Sequence, residues 1–172
     1  MTTRILIIAD THVPARARVL PPAVLEAARV ADVVIHAGDW ITAETLDELE
    51  AIADVVGVWG NNDGPDLRSR LPEVATRDIE GIRFAVVHET GDAKTRPARM
   101  DAAFPDADVL VFGHSHIPWD TVTPAGLRLL NPGSPTDRRR QPHCTMMTAT
   151  AHDGELLDVT LTTVMRVPAT GS

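Results

Sequence analysis

The amino-acid sequence predicts an α/β protein with two packed sheets. Before position 117, five short apolar runs rich in β-branched residues recur, and such runs are typical of buried strands. Helical patterns lie between several of these runs, and strand–helix–strand units with right-handed crossovers predict a largely parallel sheet. After His116, further strands follow one another without helices, which predicts a second, more antiparallel sheet packed on the first.

The helices and the later strands can be placed from periodicity and turn residues. Helices are predicted over 22–30, 43–53 and 94–104. Later strands are predicted over 119–123, 127–130, 144–151 and 156–165, with hairpin turns at 124–126 and 152–154. The 172 residues are expected to form one domain, residues 1–172, with a frayed tail at 168–172.

Each of the five apolar runs ends in side chains that can bind a metal ion. The runs 5–9, 33–37, 55–59, 84–87 and 109–112 end respectively in Asp10-Thr11-His12, Gly38-Asp39, Gly60-Asn61-Asn62-Asp63, His88 and Gly113-His114-Ser115-His116. Ligands of parallel α/β sheets bind beyond the carboxyl ends of the strands, so we expect these clusters to meet there. Residues two apart share a face of a strand, so continued strand geometry would point Asp10 and His12 the same way, and likewise His114 and His116.

Composition excludes several functions and leaves metal chemistry open. Acidic residues outnumber basic ones by 24 to 16, a net charge of −8, which argues against general affinity for nucleic acid or anionic membranes. One cysteine, Cys144, cannot form an internal disulfide or a zinc knuckle. The first apolar run is too short for a signal peptide and is interpreted as a strand, and no apolar run approaches the ~20 residues that span a bilayer, so a cytoplasmic location is expected.

The candidate ligands combine carboxylates, carboxamides and histidines. This mixture of oxygen and imidazole donors suits Mn, Fe, Zn or Ni better than Ca or Mg. The first strand-to-helix turn lacks the GxGxxG pattern of dinucleotide-binding sites, and the GxxxxGK[ST] pattern of P-loops is absent. The sequence therefore gives no support to a nucleotide-binding site of either kind.

The five ordered blocks resemble the calcineurin-like metallophosphoesterases, and within them the small single-domain bacterial and archaeal phosphodiesterase branch. The match runs from Ile5 to about Arg138, and the segment 130–134 resembles a further block typical of the small branch. The resemblance implies an α/β/β/α sandwich of two mixed sheets flanked by helices. It also implies a phosphate-ester hydrolase in which a metal-bound hydroxide attacks the phosphorus.

The resemblance further implies two divalent transition metal ions, with manganese expected and nickel, iron or zinc as alternatives. One ion would be held by Asp10, His12, Asp39 and His116, and the other by Asp39, Asn61, His88 and His114. Asp39 would bridge both ions. Catalytic roles are expected for Asp39, Asn61, Asn62 and His88. The expected partner is a small phosphate ester, and a homo-oligomer is left open.

Two departures from the family pattern bear on the substrate. Larger members carry a His after the ligand Asn, where this chain has Asn62, which cannot donate a proton as an acid. This favours phosphodiester over monoester chemistry. Glu89 follows His88 where small-branch members often have Gly-His, so the substrate rim differs. The alternatives are a phosphomonoesterase and a non-catalytic interaction scaffold, as in the retromer subunit of eukaryotes, which resembles this family but has lost part of the ligand set.

Four further features are interpreted as structural. His36 lies inside a strand and is expected to be buried and hydrogen-bonded. Asp63 is expected to orient a ligand imidazole. The segment 131–134 is interpreted as a turn beside the site, and 138–140, three arginines, as a solvated basic run.

Overall fold

The computed structural model describes residues 1–166, so the predicted frayed tail at 168–172 lies outside the described residues. The elements in chain order are β1 Thr2–Ile8, α1 Pro22–Val30, β2 Val33–His36, α2 Ala43–Glu50, β3 Asp54–Gly57, α3 Pro65–Arg70, β4 Val74–Ile79, β5 Ile82–Val87, α4 Arg96–Ala103, β6 Val109–Val111, β7 Trp119–Val122, β8 Arg128–Asn131, β9 Cys144–His152 and β10 Glu155–Val164. Among these, no helix is long and apolar enough to cross a membrane.

The strands form two mixed five-stranded sheets. The first has the order β10-β9-β1-β2-β3, in which β1, β2 and β3 are parallel and β9 and β10 are antiparallel to their neighbours. The second has the order β4-β5-β6-β8-β7, in which β5, β6 and β8 are parallel and β4 and β7 pair antiparallel at its edges. The predicted sandwich of two mixed sheets is confirmed.

The assignment of strands to sheets, however, was wrong. The five ligand-bearing runs were expected in one largely parallel sheet, but β1, β2 and β3 lie in the first sheet whereas β5 and β6 lie in the second. The strands after His116 do not form a sheet of their own, because β7 and β8 extend the second sheet and β9 and β10 return to the first. Local patterns indicate strands but not partners, since pairing depends on long-range packing.

Alternating side chains on each sheet build three layers of core. On β1, Ile5 and Ile7 face the cluster between the sheets, whereas Leu6 and Ile8 face the cluster beneath the helices of the first sheet. Helix α1 begins at Pro22 and buries Val24 and Ala28, one turn apart, in this outer cluster. A third cluster fills the outer face of the second sheet beneath α4. The molecule is therefore layered α/β/β/α.

Two elements were not predicted. Strand β4 lies at the edge of the second sheet and is mostly exposed, so it has no apolar run. Helix α3 spans only six residues, of which Leu67 is buried. The predicted helix over 94–104 is shorter, at Arg96–Ala103, and the predicted turns at 124–126 and 152–154 do join antiparallel strands.

Candidate metal centre

The loops that follow β1, β2, β3, β5 and β6 converge at one end of the sandwich. Backbone hydrogen bonds link them, since Asp10 N donates to Gly38 O at 2.9 Å and Gly113 N donates to His88 O at 2.9 Å. The Asp10 carboxylate also accepts a hydrogen bond from His114 N at 2.9 Å. The clusters therefore meet as predicted, although they arrive from two sheets that face each other.

Five of the seven predicted ligands adopt left-handed backbone conformations. Their φ angles are positive, at 54° for Asp10, 44° for His12, 61° for Asp39, 70° for His114 and 60° for His116. The side-chain directions of Asp10 and His12, and of His114 and His116, therefore do not follow the strand alternation that was expected for each pair. Left-handed conformations are unfavourable for most non-glycine residues. They persist where surrounding contacts impose them, often at functional sites.

The first group of candidate ligands consists of Asp10, His12 and His116, which are all buried. Asp10 Oδ1 lies 3.8 Å from His12 Nε2 and 3.6 Å from His116 Nε2. Within residues 1–166, these three atoms are the buried side-chain nitrogens and oxygens that have no hydrogen-bond partner. Buried polar atoms are normally satisfied, so a cation that accepts all three lone pairs fits this position.

The second group consists of Asp39, Asn61, His88 and His114. His88 Nε2 lies 2.9 Å from Asn61 Oδ1, 3.3 Å from His114 Nδ1 and 3.4 Å from Asp39 Oδ2. Donors bound to one ion at about 2.1 Å are separated by roughly 2.8–3.4 Å, so this group fits a single ion. The distances from Asp10 Oδ1 to the two imidazoles of the first group, 3.6 and 3.8 Å, exceed this range by a few tenths of an ångström.

Backbone carbonyls orient two of the imidazoles. His88 Nδ1 donates to Ala37 O at 2.8 Å, and His116 Nδ1 donates to Asp137 O at 2.6 Å. Each ring therefore presents the Nε2 lone pair to its ligand group, which is the usual arrangement of a metal-binding histidine. The role of Asp137 was missed, because a contribution made by a backbone carbonyl leaves no signal in the sequence.

Asp39 lies between the two groups. Its Oδ2 is 3.5 Å from His12 Nε2 and 3.4 Å from His88 Nε2, whereas Oδ1 accepts a hydrogen bond from Asn62 N at 2.9 Å. Burial would raise the pKa of Asp39, but the contacts with His88 and Asn62 outweigh it and hold the pKa below its usual range. The carboxylate thus stays ionised with one oxygen toward both groups.

The surroundings of His88 and His116 shift the pKa values of these two imidazoles in opposite directions. Burial lowers the pKa of His88, but the side chains of Asp39 and Asp10 and the Ala37 carbonyl together raise it above its usual value. Burial lowers the pKa of His116, which favours the neutral ring that binds metals.

Asp63 supports the backbone rather than an imidazole. Its carboxylate accepts four backbone hydrogen bonds, from Asp39 N, Trp40 N, Ile41 N and Gly60 N, at 2.7–3.0 Å. The expectation that Asp63 orients a ligand imidazole was therefore wrong, since the side chain instead fixes the loops that carry Asp39 and Asn61. Burial is the main cause of a raised pKa at Asp63.

Other side chains hold the remaining ligand loops. Asn131 Nδ2 donates to Gly113 O at 3.1 Å, and Ser134 Oγ donates to Asp10 O at 2.7 Å. The segment 131–134 is thus the structural turn that was predicted. His36 is fully buried, hydrogen-bonds to Thr11 Oγ1 at 2.9 Å and stacks on Trp40, as expected for a buried histidine.

Gly60 and Gly113 lie where neighbouring segments pack too closely to leave room for a Cβ atom. A Cβ at Gly60 would overlap the Asp39 carboxylate and its backbone nitrogen. A Cβ at Gly113 would lie 2.9 Å from Asp10 Oδ2 and 2.9 Å from the Ala9 side chain. These positions therefore let the ligand loops pack directly on one another.

The profile of the calcineurin-like phosphoesterase superfamily domain matches residues 3–154. The chain belongs to this superfamily. A probable metallophosphoesterase of Methanothermobacter thermautotrophicus is 39% identical over 156 residues, which cover 88% of this chain and 87% of the relative. A probable metallophosphoesterase of Methanocaldococcus jannaschii is 39% identical and covers 78% of this chain and 69% of the relative. These relatives support a metal-dependent phosphoesterase.

Solved structures share the calcineurin-like fold. A Thermotoga maritima protein determined by NMR superposes with a TM-score of 0.75 at 33% identity, covering 94% of this chain and 99% of that chain. Vps29 of Entamoeba histolytica, crystallised as a complex with zinc, superposes with a TM-score of 0.75 at 26% identity, covering 94% of this chain and 98% of that chain. Both likenesses extend over nearly the whole sandwich.

Proposed function

We propose that this metallophosphoesterase hydrolyses phosphodiesters with two divalent transition metal ions. The observation that carries the proposal is the set of three orphaned buried atoms on Asp10, His12 and His116, beside a second group built around His88. The imidazole and oxygen donors favour manganese, with nickel, iron or zinc as alternatives. When bound, the two ions would supply an activated water molecule and neutralise charge on the phosphoryl oxygens.

The side chains of the chain divide the remaining work. Asp39 faces both ligand groups with Oδ2, which supports its role as the shared ligand. Asn61 Oδ1 contacts both His88 and His114, which supports its role in the second group. Two carboxylates against two divalent ions leave the site positive, so a phosphate ester is attracted although the chain carries a net charge of −8.

Asn62 supports a diester rather than a monoester substrate. It is exposed at the edge of the site, 2.8 Å from Asp39 Oδ2 through its side-chain nitrogen. Its carboxamide can donate a hydrogen bond to a phosphoryl oxygen but cannot protonate a leaving group. A diester carries one less negative charge than a monoester dianion and depends less on this missing acid.

A paired measurement tests the proposal. We expect the manganese-loaded protein to hydrolyse bis(p-nitrophenyl) phosphate with a higher kcat/KM than p-nitrophenyl phosphate. Both compounds release p-nitrophenolate, so the ratio reports the second ester arm together with the difference in charge that the arm brings. A preference for the monoester would favour the phosphomonoesterase alternative instead.

Vps29, by its name a vacuolar protein sorting protein, shares the fold, so a non-catalytic interaction scaffold is the second candidate. Because a Vps29 structure contains zinc, metal binding alone does not separate the two functions. The full set of candidate ligands favours the enzyme. A protein that binds both ions but hydrolyses neither diesters nor monoesters would favour the scaffold.

A further inference from the structure

A groove beside the second ligand group extends the site in one direction. Its volume is about 430 Å³, and its lining includes Asn61 and His88 from the ligand group. A phosphate held at the metal centre would therefore direct one of its ester arms into this groove. The chemistry of the groove wall then decides which arms are accepted.

The walls of the groove are partly apolar. Trp59, Val74 and Val87 contribute the apolar surface. Val74 is 47% exposed although it is aliphatic, and it pairs with Val87 across strands β4 and β5. Trp59 is half-buried, and its indole can cover an organic group. These surfaces can bury the methyl or methylene groups of an ester arm.

Two carboxylates also line the groove, and they flank His88 in space. Glu89 follows His88 directly, and its Oε1 lies 3.7 Å from His114 Nε2. Glu73 precedes Val74, and because Val74 pairs antiparallel with Val87, Glu73 lies across from His88. Both residues therefore lie on the wall of the groove beside His88.

Neighbouring cations do not line the groove in the described part of the chain. The guanidinium of Arg68 lies 4.1 Å over the Trp59 ring but donates to Asp63 O at 2.7 Å. Arg99 donates to the carbonyls of Thr90 and Asp92. Away from the metal end, the charged side chains that line the groove are therefore the two carboxylates, which repel a second anionic group and attract a positive one.

We propose that the groove selects a phosphodiester whose ester arm carries a positive charge, through Glu73 and Glu89 with the apolar wall of Trp59, Val74 and Val87. This inference rests on the proposed function, because it assigns the substrate class of that site. It gives Glu89, which departs from the family pattern, a role in specificity.

Three p-nitrophenyl phosphodiesters test the proposal, since their second arms differ mainly in charge. The arms are 2-(trimethylammonio)ethyl, its neutral isostere 3,3-dimethylbutyl, and the anionic 3-carboxypropyl. We expect the wild type to prefer the cationic arm over the neutral one by roughly 3- to 10-fold in kcat/KM, and the anionic arm to be the poorest. The double variant Glu73→Gln/Glu89→Gln should bring the cationic-to-neutral ratio to about 1.

A matched control separates local from overall charge. Glu44 and Glu48 are exposed on α2, outside the groove, so Glu44→Gln/Glu48→Gln changes the net charge equally and should keep the wild-type ratio. A wild-type ratio at or below 1, an unchanged ratio in the groove variant, or an equal fall in the control would each overturn the proposal.

Binding measurements distinguish failure of the groove from failure of the hydrolase. Methylphosphinates that carry the same three arms through a P–C bond have no ester bond to hydrolyse, and calorimetry gives their dissociation constants. If turnover is absent but binding follows the same charge order and loses it in the groove variant, the groove proposal stands and the diesterase proposal falls. If diesters are hydrolysed without a charge preference, the reverse holds.

Discussion

Asn62 donates two hydrogen bonds to the carboxylate of Asp39, from its backbone nitrogen to Oδ1 at 2.9 Å and from its side chain to Oδ2 at 2.8 Å. Asp39 is 1% exposed and faces both ligand groups. Asn62, which follows the candidate ligand Asn61, thus contacts the candidate shared ligand directly. A substitution at position 62 can therefore change both the leaving-group chemistry and the position of Asp39.

Asn62→His should raise monoester turnover relative to diester turnover by at least ~10-fold, because an imidazole can protonate the leaving oxygen. The ratio is measured with phenyl phosphate and diphenyl phosphate, because phenolate is a poorer leaving group than p-nitrophenolate and gains from protonation. Asn62→Ala is the control, since it removes the same bond to Asp39 without adding an acid. An equal change of the ratio in both variants would show that the acid is not the cause.

Gly60→Ala should disturb the metal centre, because the added Cβ overlaps the Asp39 carboxylate. We expect a loss of about 1–3 kcal/mol in the free energy of unfolding and a lower content of bound manganese. Gly64→Ala is the matched control, since a Cβ there has nothing within 4 Å. Thermal unfolding and elemental analysis check both variants, and equal effects would exclude the overlap as the cause.

Asp39→Asn tests the shared ligand. If the amide NH2 group takes the place of Oδ2, both ligand groups lose the oxygen lone pairs that could bind an ion. If it takes the place of Oδ1, its N–H faces the backbone N–H of Asn62, and that hydrogen bond is lost. We expect at most one tightly held ion and a loss of at least ~100-fold in kcat. Circular dichroism should show a folded chain, because Asp39 follows a strand rather than filling the apolar core. Two retained ions with near-normal turnover would contradict the bridging role.

His114→Ala and His116→Ala should both abolish turnover but remove different ions. His116 Nε2 lies near Asp10, whereas His114 Nδ1 lies 3.3 Å from His88 Nε2, so the two rings belong to separate groups. Anomalous diffraction from manganese-loaded crystals of each variant locates the ion that remains. Loss of the same ion from both variants would refute the assignment.

Much of the fold and the convergence of the candidate ligands could be predicted from the sequence. The apolar runs indicate the strands, and their polar ends indicate the cluster, because buried strands and convergent ligands leave strong local patterns. The placement of β5 and β6 in a different sheet from β1 could not be predicted, since strand pairing depends on contacts between residues far apart in the sequence. The positive φ angles of Asp10 and His116 were also missed, because Asp and His adopt them more often than most residues but still only in a minority of cases.

The supporting contacts were predicted only in part. The turn at 131–134 was placed beside the site, but the role of Asp63 was not, because its partners are backbone amides. The carbonyls of Ala37 and Asp137 that orient His88 and His116 carry no residue-specific signal at all.

The most direct test of the two-metal account is turnover of bis(p-nitrophenyl) phosphate measured with metal content on the same sample. Protein reconstituted with manganese should hold two ions per chain, lose turnover on exhaustive chelation, and regain it when manganese is returned. The Gly64→Ala protein should behave identically, and the Asp39→Asn protein should not recover. Full turnover after chelation, with elemental analysis confirming that metal is absent, would contradict the account.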